Sequence, residues 1–261
     1  GDFTNYYKGN TSYFDPILWK NNKQNQYEGY CSDIFAENAI EFIEKNKNNS
    51  FFCYLSFNAP HTPLQVPEKY YNMYKDLDPE LGFKGESLAL KMSKKDKEDA
   101  RRIYGMVTNI DDNVGKVLNK LTELGIEEDT IIIFMTDNGP QQFRYNSNMK
   151  GLKGTVYNGG TRVPFYIKYA GKFKNSKVIN RMSAHIDVLP TILELCNLNV
   201  PNDRKIDGQS LVSLINSKTF NDRYLFSYWT RRFPEKYINM SIQNDNYKLV
   251  GNNDFDSKIE E

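Results

Sequence analysis

The longest hydrophobic period in the chain runs through Ile103, Val107, Ile110, Val114, Val117, Leu121 and Leu124, in alternating steps of four and three, and stops at Gly125. That spacing predicts a long amphipathic helix with a glycine C-cap. A shorter period, Phe35, Ala39, Ile40 and Ile43, predicts a helix entered at Ser32-Asp33 and left at Asn48-Asn49-Ser50. Between and after these lie runs without a period: FFCYLSF (Phe51–Phe57), TIIIFM (Thr130–Met135) and VPFYIKY (Val163–Tyr169). The first two are short and apolar on both faces, which predicts strands covered on two sides. Strand, crossover helix, strand is the order of a parallel βαβ unit, so Phe51–Phe57 and Thr130–Met135 are expected to run the same way.

Farther along, His185-Ile186-Asp187-Val188-Leu189-Pro190 enters a short helix through Leu195, with Asp187 or Val188 near the cap and Pro190 in the first turn. Leu211–Ile215 reads as a small helix, and YLFSYW and YKLV in the tail are strand-like. The fold class is α/β, a mostly parallel central sheet flanked by helices. Open parallel sheets bind ligands beyond the carboxyl ends of their strands. His61 follows one such end and Asp137-Asn138 another, so the two should meet at one rim.

Composition narrows the partners. The 261 residues carry 34 basic and 33 acidic side chains, a balance that does not point to nucleic acid or an anionic membrane surface. The longest apolar run, Ile131–Met135, falls far short of the roughly 20 residues a spanning helix needs. Cys31, Cys53 and Cys196 form no Cys-x-x-Cys or His/Cys cluster, which argues against a disulfide framework and a structural zinc. Gly1 opens the chain without Met or a basic-then-apolar leader, so any targeting signal is absent or removed.

At the rim, Asp137 and Asn138 offer a carboxylate and an amide carbonyl, hard donors suited to Ca²⁺ or Mg²⁺ and poorly suited to zinc. Asp-Asn-Gly-Pro is equally an ordinary turn sequence. His61 stands between prolines in a stiff loop, as a catalytic group or as a loop histidine with one backbone bond; His185, before a helix, reads as capping or packing. Met149–Thr155 and Asn158–Pro164 form a glycine-rich basic segment whose backbone can approach closely and whose lysines can grip an anion, without the phosphate-loop pattern.

Taken in order, NAPHTPLQVP, YGMVTNIDDNVGKVL, TIIIFMTDNGP, KGLKGTVYNGGTRVPF, HIDVLPTILEL and IDGQSL resemble the sulfatase family of the alkaline phosphatase-like superfamily, over a match from about Tyr6 to Val250. The resemblance implies that Asp137 and Asn138 are two ligands of a divalent cation, usually Ca²⁺. It implies that His61 contacts the sulfate ester near its bridging oxygen and that Lys153 grips the same sulfate. Asp111-Asp112 and Arg162 are family positions assigned to structure, and Asn158 stands where many relatives carry glutamate.

The family's nucleophile is a formylglycine made from a Cys/Ser-x-Pro/Ala-x-Arg motif, and no such motif occurs here. Gly1–Trp19 resembles the stretch just after the family's Gly-Lys-x-His segment, so the expectation is a fragment, incomplete at both ends, with the formylglycine and the remaining metal ligands upstream of Gly1. Residues 1–218 are then the central and C-terminal part of the catalytic domain, and 219–261 the start of a truncated C-terminal segment. Exposed strand edges would favour self-association. The implied activity is sulfate-ester hydrolysis by the intact parent, with a sulfated carbohydrate as substrate and a periplasmic or secreted location. Arg144, Tyr145 and the Tyr70–Lys95 insertion are candidates for specificity. The rivals are a phosphodiesterase or phosphonate hydrolase of the same superfamily and a non-catalytic glycan-binding relative.

Overall fold

A computed structural model describes residues 12–83, 91–173, 176–231, 233 and 238–251. Residues 1–11 of the Gly1–Trp19 match, 84–90 within Tyr70–Lys95, and Asp254–Glu261 lie outside the described residues.

The periodic segment forms α3, Lys94–Glu123, preceded by a hairpin β1 (Ile17–Lys20) and β2 (Lys23–Gln26), helix α1 (Cys31–Asn46) and the single turn α2 (Glu68–Tyr71). The start of α3 is set by a reciprocal cap: Ser93 Oγ accepts from Asp96 N at 3.1 Å and Asp96 Oδ2 accepts from Ser93 N at 3.0 Å. Its end is a Schellman turn, in which Gly125 takes φ +69° while Gly125 N and Ile126 N donate to Thr122 O and Leu121 O. Charged residues fill the first two turns, so the helix begins nine residues before Ile103, where the hydrophobic period starts.

Two corrections apply to the predicted stripe. Val107 is 47% exposed, whereas Asn109 and Asn113 are buried beside Ile103, Met106 and Ile110. Both asparagine amides donate to Asp33 Oδ1 on α1, at 2.8 and 2.6 Å, which satisfies donors that would otherwise be buried without partners. Asp33 therefore bridges two helices instead of capping one, and α1 begins at Cys31, before the predicted cap.

The strands depart further from expectation. β3 (Ile132–Met135) pairs antiparallel with β4 (Phe165–Lys168), with Ile133 opposite Ile167. Every ladder among the described residues is antiparallel. Phe51–Phe57 forms no strand, so its parallel pairing with β3 is not made among the described residues. Phe52 is 72% and Tyr54 76% exposed. Its two-faced apolar sequence reports a need for cover on both sides, but strand structure also requires a neighbour to exchange backbone hydrogen bonds, and no described element supplies one.

After α4 (Asn158–Thr161) come α5 (Val188–Leu195), α6 (Val212–Ile215) and a meander of β5 (Leu225–Tyr228), β6 (Met240–Gln243) and β7 (Lys248–Gly251). YLFSYW and YKLV thus become β5 and β7, with β6 between them. One core cluster joins Tyr13, Leu18, Tyr30, Ile34, Met106 and Ile110, and packs Phe57, Leu64 and Phe134 against it. This cluster fixes the His61 loop relative to the strand that delivers Asp137. No described helix is long and apolar enough to cross a membrane.

Candidate active site

Asp137 and Asn138 leave the carboxyl end of β3. Asp137 is exposed, and its Oδ1 accepts from Asn138 N at 2.8 Å. Asn138 donates its amide N–H to Gly139 O at 2.9 Å, leaving the side-chain oxygen as its outward donor atom. The turn reading and the ligand reading are therefore compatible: the bonds order the turn and spare lone pairs. As oxygen donors the two fit a hard divalent cation, which takes about six to eight such ligands. Among the described residues no group of three His, Cys, Asp or Glu side chains completes such a site.

Main-chain contacts hold this turn against the glycine-rich segment. Gly139 N donates to Gly160 O at 2.9 Å, Lys153 N to Pro140 O at 2.7 Å and Gly159 N to Lys150 O at 2.7 Å. A Cβ on Gly139 would fall 1.8 Å from Gly159 O, so only glycine permits this approach. Lys153 is thereby delivered next to Asp137-Asn138, and it forms no ion pair among the described residues. Behind it, Asn239 donates to Gly154 O at 2.9 Å and accepts from Val156 N at 3.2 Å. His185 joins through its Nε2, 2.8 Å from Thr136 O; it packs against the strand end instead of capping a helix.

His61 is exposed, in a loop with cis bonds at Ala59-Pro60 and Thr62-Pro63. Its backbone is tied down by His61 N donating to Asn58 O at 3.0 Å and Tyr13 OH donating to His61 O at 3.1 Å. Nδ1 lies 2.7 Å from Thr62 O, which can only accept, so Nδ1 carries a proton. A cleft lined by Thr62 on one side and by Gln141, Gln142 and Leu152 on the other faces the histidine loop toward the segment between Asn138 and Lys153. The parallel pairing from which the common rim was expected is not made among the described residues, where β3 pairs antiparallel with β4.

Other candidates separate by their contacts. Asp112 Oδ2 accepts from Tyr70 OH at 2.8 Å, a bond that ties α2 to α3 and agrees with a structural task; Asp111 is exposed. Asn158 Oδ1 accepts from Lys248 Nζ at 3.2 Å. Arg162 is exposed, so packing does not carry a structural task for it. Burial lowers the pKa of the Arg144 guanidinium, and Arg144 Nη1 donates to Gln142 O at 3.4 Å. Burial also pushes the Cys31 thiol up to about 11 and raises that of Cys53, so neither is a thiolate nucleophile at neutral pH.

Sequence reading missed one ionic centre. Asp187, fully buried, accepts from Ala184 N at 2.7 Å, Gln209 N at 2.9 Å and both terminal nitrogens of Arg223, at 2.6 Å for Nη1. Thirty-six residues separate the pair, and no local pattern joins them.

With the geometry placed, comparison defines the class. The sulfatase family profile matches residues 1–198, and a profile described as N-sulphoglucosamine sulphohydrolase, C-terminal, matches residues 152–260. The chain belongs to the sulfatase family. It is 27% identical to an uncharacterized sulfatase of Escherichia coli over 94% of this chain and 42% of that protein. It is 31% identical to an arylsulfatase of Clostridium perfringens over 73% of this chain and 44% of that protein. The crystal structure of Ps i-CgsB in complex with k-i-k-neocarrahexaose superposes with a TM-score of 0.74 at 26% identity, covering 96% of this chain and 52% of that one. The chain therefore spans about half, or less, of the length of the relatives it matches.

Proposed function

We propose that the protein containing this chain hydrolyses sulfate esters of sulfated sugars. The observation that supports this reading is the main-chain join of the Asp137-Asn138 turn to the segment bearing Lys153, through Gly139 N to Gly160 O and Lys153 N to Pro140 O. The names of the arylsulfatase relative and of the oligosaccharide complex support it. In this reading Asp137 and Asn138 hold a divalent cation, Lys153 binds a sulfate oxygen, and His61, as the imidazolium, donates its Nε2–H to the bridging oxygen on which charge grows as the ester breaks. A divalent cation held by Asp137 and Asn138 would withdraw charge from the sulfate, and the formylglycine hydrate of the family would supply the attacking oxygen. A periplasmic or secreted location accords with the family resemblance. The phosphodiesterase rival needs further His and Asp ligands for a second metal, yet the chain has two histidines and His185 is engaged at Thr136 O.

The test is hydrolysis by the intact protein of a panel of sulfated sugars, aryl sulfates and phosphonate monoesters. Release of sulfate from at least one sulfated sugar, in preference to the others, is expected; preference for phosphonates or for simple aryl sulfates over every sulfated sugar would overturn it. The 261-residue chain alone should show no turnover and weak Ca²⁺ binding by calorimetry.

A further inference from the structure

A second pocket, of about 540 Å³, opens between the glycine-rich segment and β7 and shares no lining residue with the cleft of Thr62 and Gln141. That volume suits a small molecule. Two ammonium groups line it, those of Lys150 and Lys248, and among the described residues no acidic side chain does. Lys248 Nζ is held by two neutral oxygens instead of a carboxylate, Asn158 Oδ1 at 3.2 Å and Thr161 Oγ1 at 3.1 Å. An ammonium has three donors, so one stays available. Burial lowers the Lys248 pKa, and no carboxylate acts against that shift. Lys150 Nζ lies 4.2 Å from the centroid of the Tyr157 ring, a contact that places the charge while leaving its N–H groups to an acceptor. Met149, Tyr157 and Val250 give the pocket apolar walls. Positive charge drawn partly out of water without a counter-charge is costly until something pairs with it.

We propose that this pocket binds a small organic anion, with its headgroup oxygens on Lys150 and Lys248 and its apolar body against Met149, Tyr157 and Val250. The anion supplies the counter-charge that the lining lacks, and it takes the third donor of Lys248 without displacing Asn158 or Thr161. Hydrogen bonds between an ammonium and an oxyanion are the strong, charge-assisted kind. The apolar walls favour an organic anion over an inorganic one. A ligand seated there ties β7 to the segment that carries Lys153, whose ends are already joined by Gly159 N donating to Lys150 O at 2.7 Å. The assignment does not rest on the sulfatase reading.

Calorimetry on the intact protein tests it with 4-methylbenzenesulfonate, which carries no ester bond to cleave. Saturable binding is expected, weaker by about tenfold or more in Lys150→Met and in Lys248→Met, the loss of one charge-assisted contact each. Affinity should also fall between roughly 50 and 500 mM salt. Asn158→Glu sets a carboxylate of the chain against Lys248; it is expected to abolish binding while keeping or raising the thermal midpoint, so the loss cannot come from unfolding. Lys153→Ala is expected to retain binding. Inorganic sulfate should bind at least about tenfold more weakly than the sulfonate, and 4-methylbenzylammonium, of the same shape and opposite charge, should not bind. No saturable binding, affinity unchanged in either lysine variant or in Asn158→Glu, or equal binding of the cation or of inorganic sulfate overturns the assignment. Loss of binding in Lys153→Ala overturns it too, because the anion then sits at the proposed sulfate position. Sulfonate binding through Lys150 and Lys248 by a protein that hydrolyses no sulfate ester would defeat the sulfatase reading and leave this assignment standing, and hydrolysis without such binding would do the reverse.

Discussion

Asp187 and Asp137 are carboxylates near the ends of neighbouring segments, and they are treated in opposite ways. Asp187 is fully buried and accepts from two backbone amides and the fork of Arg223, which uses the roughly four lone-pair sites a carboxylate owns. Asp137 is exposed, with one backbone donor on it. A carboxylate saturated from within can only hold the fold, whereas one left open has capacity for something from outside. The contrast teaches that the count of occupied acceptor sites separates a carboxylate committed to the fold from one still able to take a partner.

The comparison can be broken by exchanging each acid for its amide. Asp187→Asn leaves the Arg223 guanidinium, 10% exposed, without its counter-charge, and a loss of about 3–5 kcal/mol of stability is expected, read by urea denaturation. Asp137→Asn is expected to change stability by less than about 0.5 kcal/mol while lowering Ca²⁺ affinity of the intact protein by calorimetry. Equal stability losses in the two variants would erase the distinction.

The thiols give a smaller version of the same contrast. Cys31 is buried while Cys196 is exposed, so iodoacetamide at about pH 8 should label Cys196 and spare Cys31 in the native state, as read by mass spectrometry. Burial raises the Cys31 pKa from 9.0 to about 11. The folded state therefore keeps its proton longer than the unfolded state does. Its contribution to stability is fully present below pH 9 and is lost as pH rises toward 11.

Much of this was legible in the chain. The period of α3 and the glycine that ends it depend on side chains close in sequence, so Ile103 to Gly125 could be read directly. The charged opening from Lys94 carried no hydrophobic signal, although Ser93-x-x-Asp96 is a capping pattern. Phe51–Phe57 shows the opposite failure, because apolar residues announce burial but cannot name the strand that must lie alongside. Asp137, Asn138, Lys153 and His61 are proposed from their place in ordered motifs at element ends. Asp187-Arg223, Asp33 with Asn109 and Asn113, and the brace from Asn239 to Gly154 join residues far apart in sequence, and no single-sequence pattern encodes such pairs.

Gly139 lies so close to Gly159 that backbone meets backbone with no side chain between them. The join is consequently blind to most of the residues that decorate the intervening loop, Asn146 excepted, whose Nδ2 donates to Met149 O and Gly151 O beside Gly159. Positions 141 to 145 can diversify under selection, or in a randomised library, without unfastening the turn that carries Asp137 and Asn138. A lineage built on this weld can change what it recognises while keeping how it reacts.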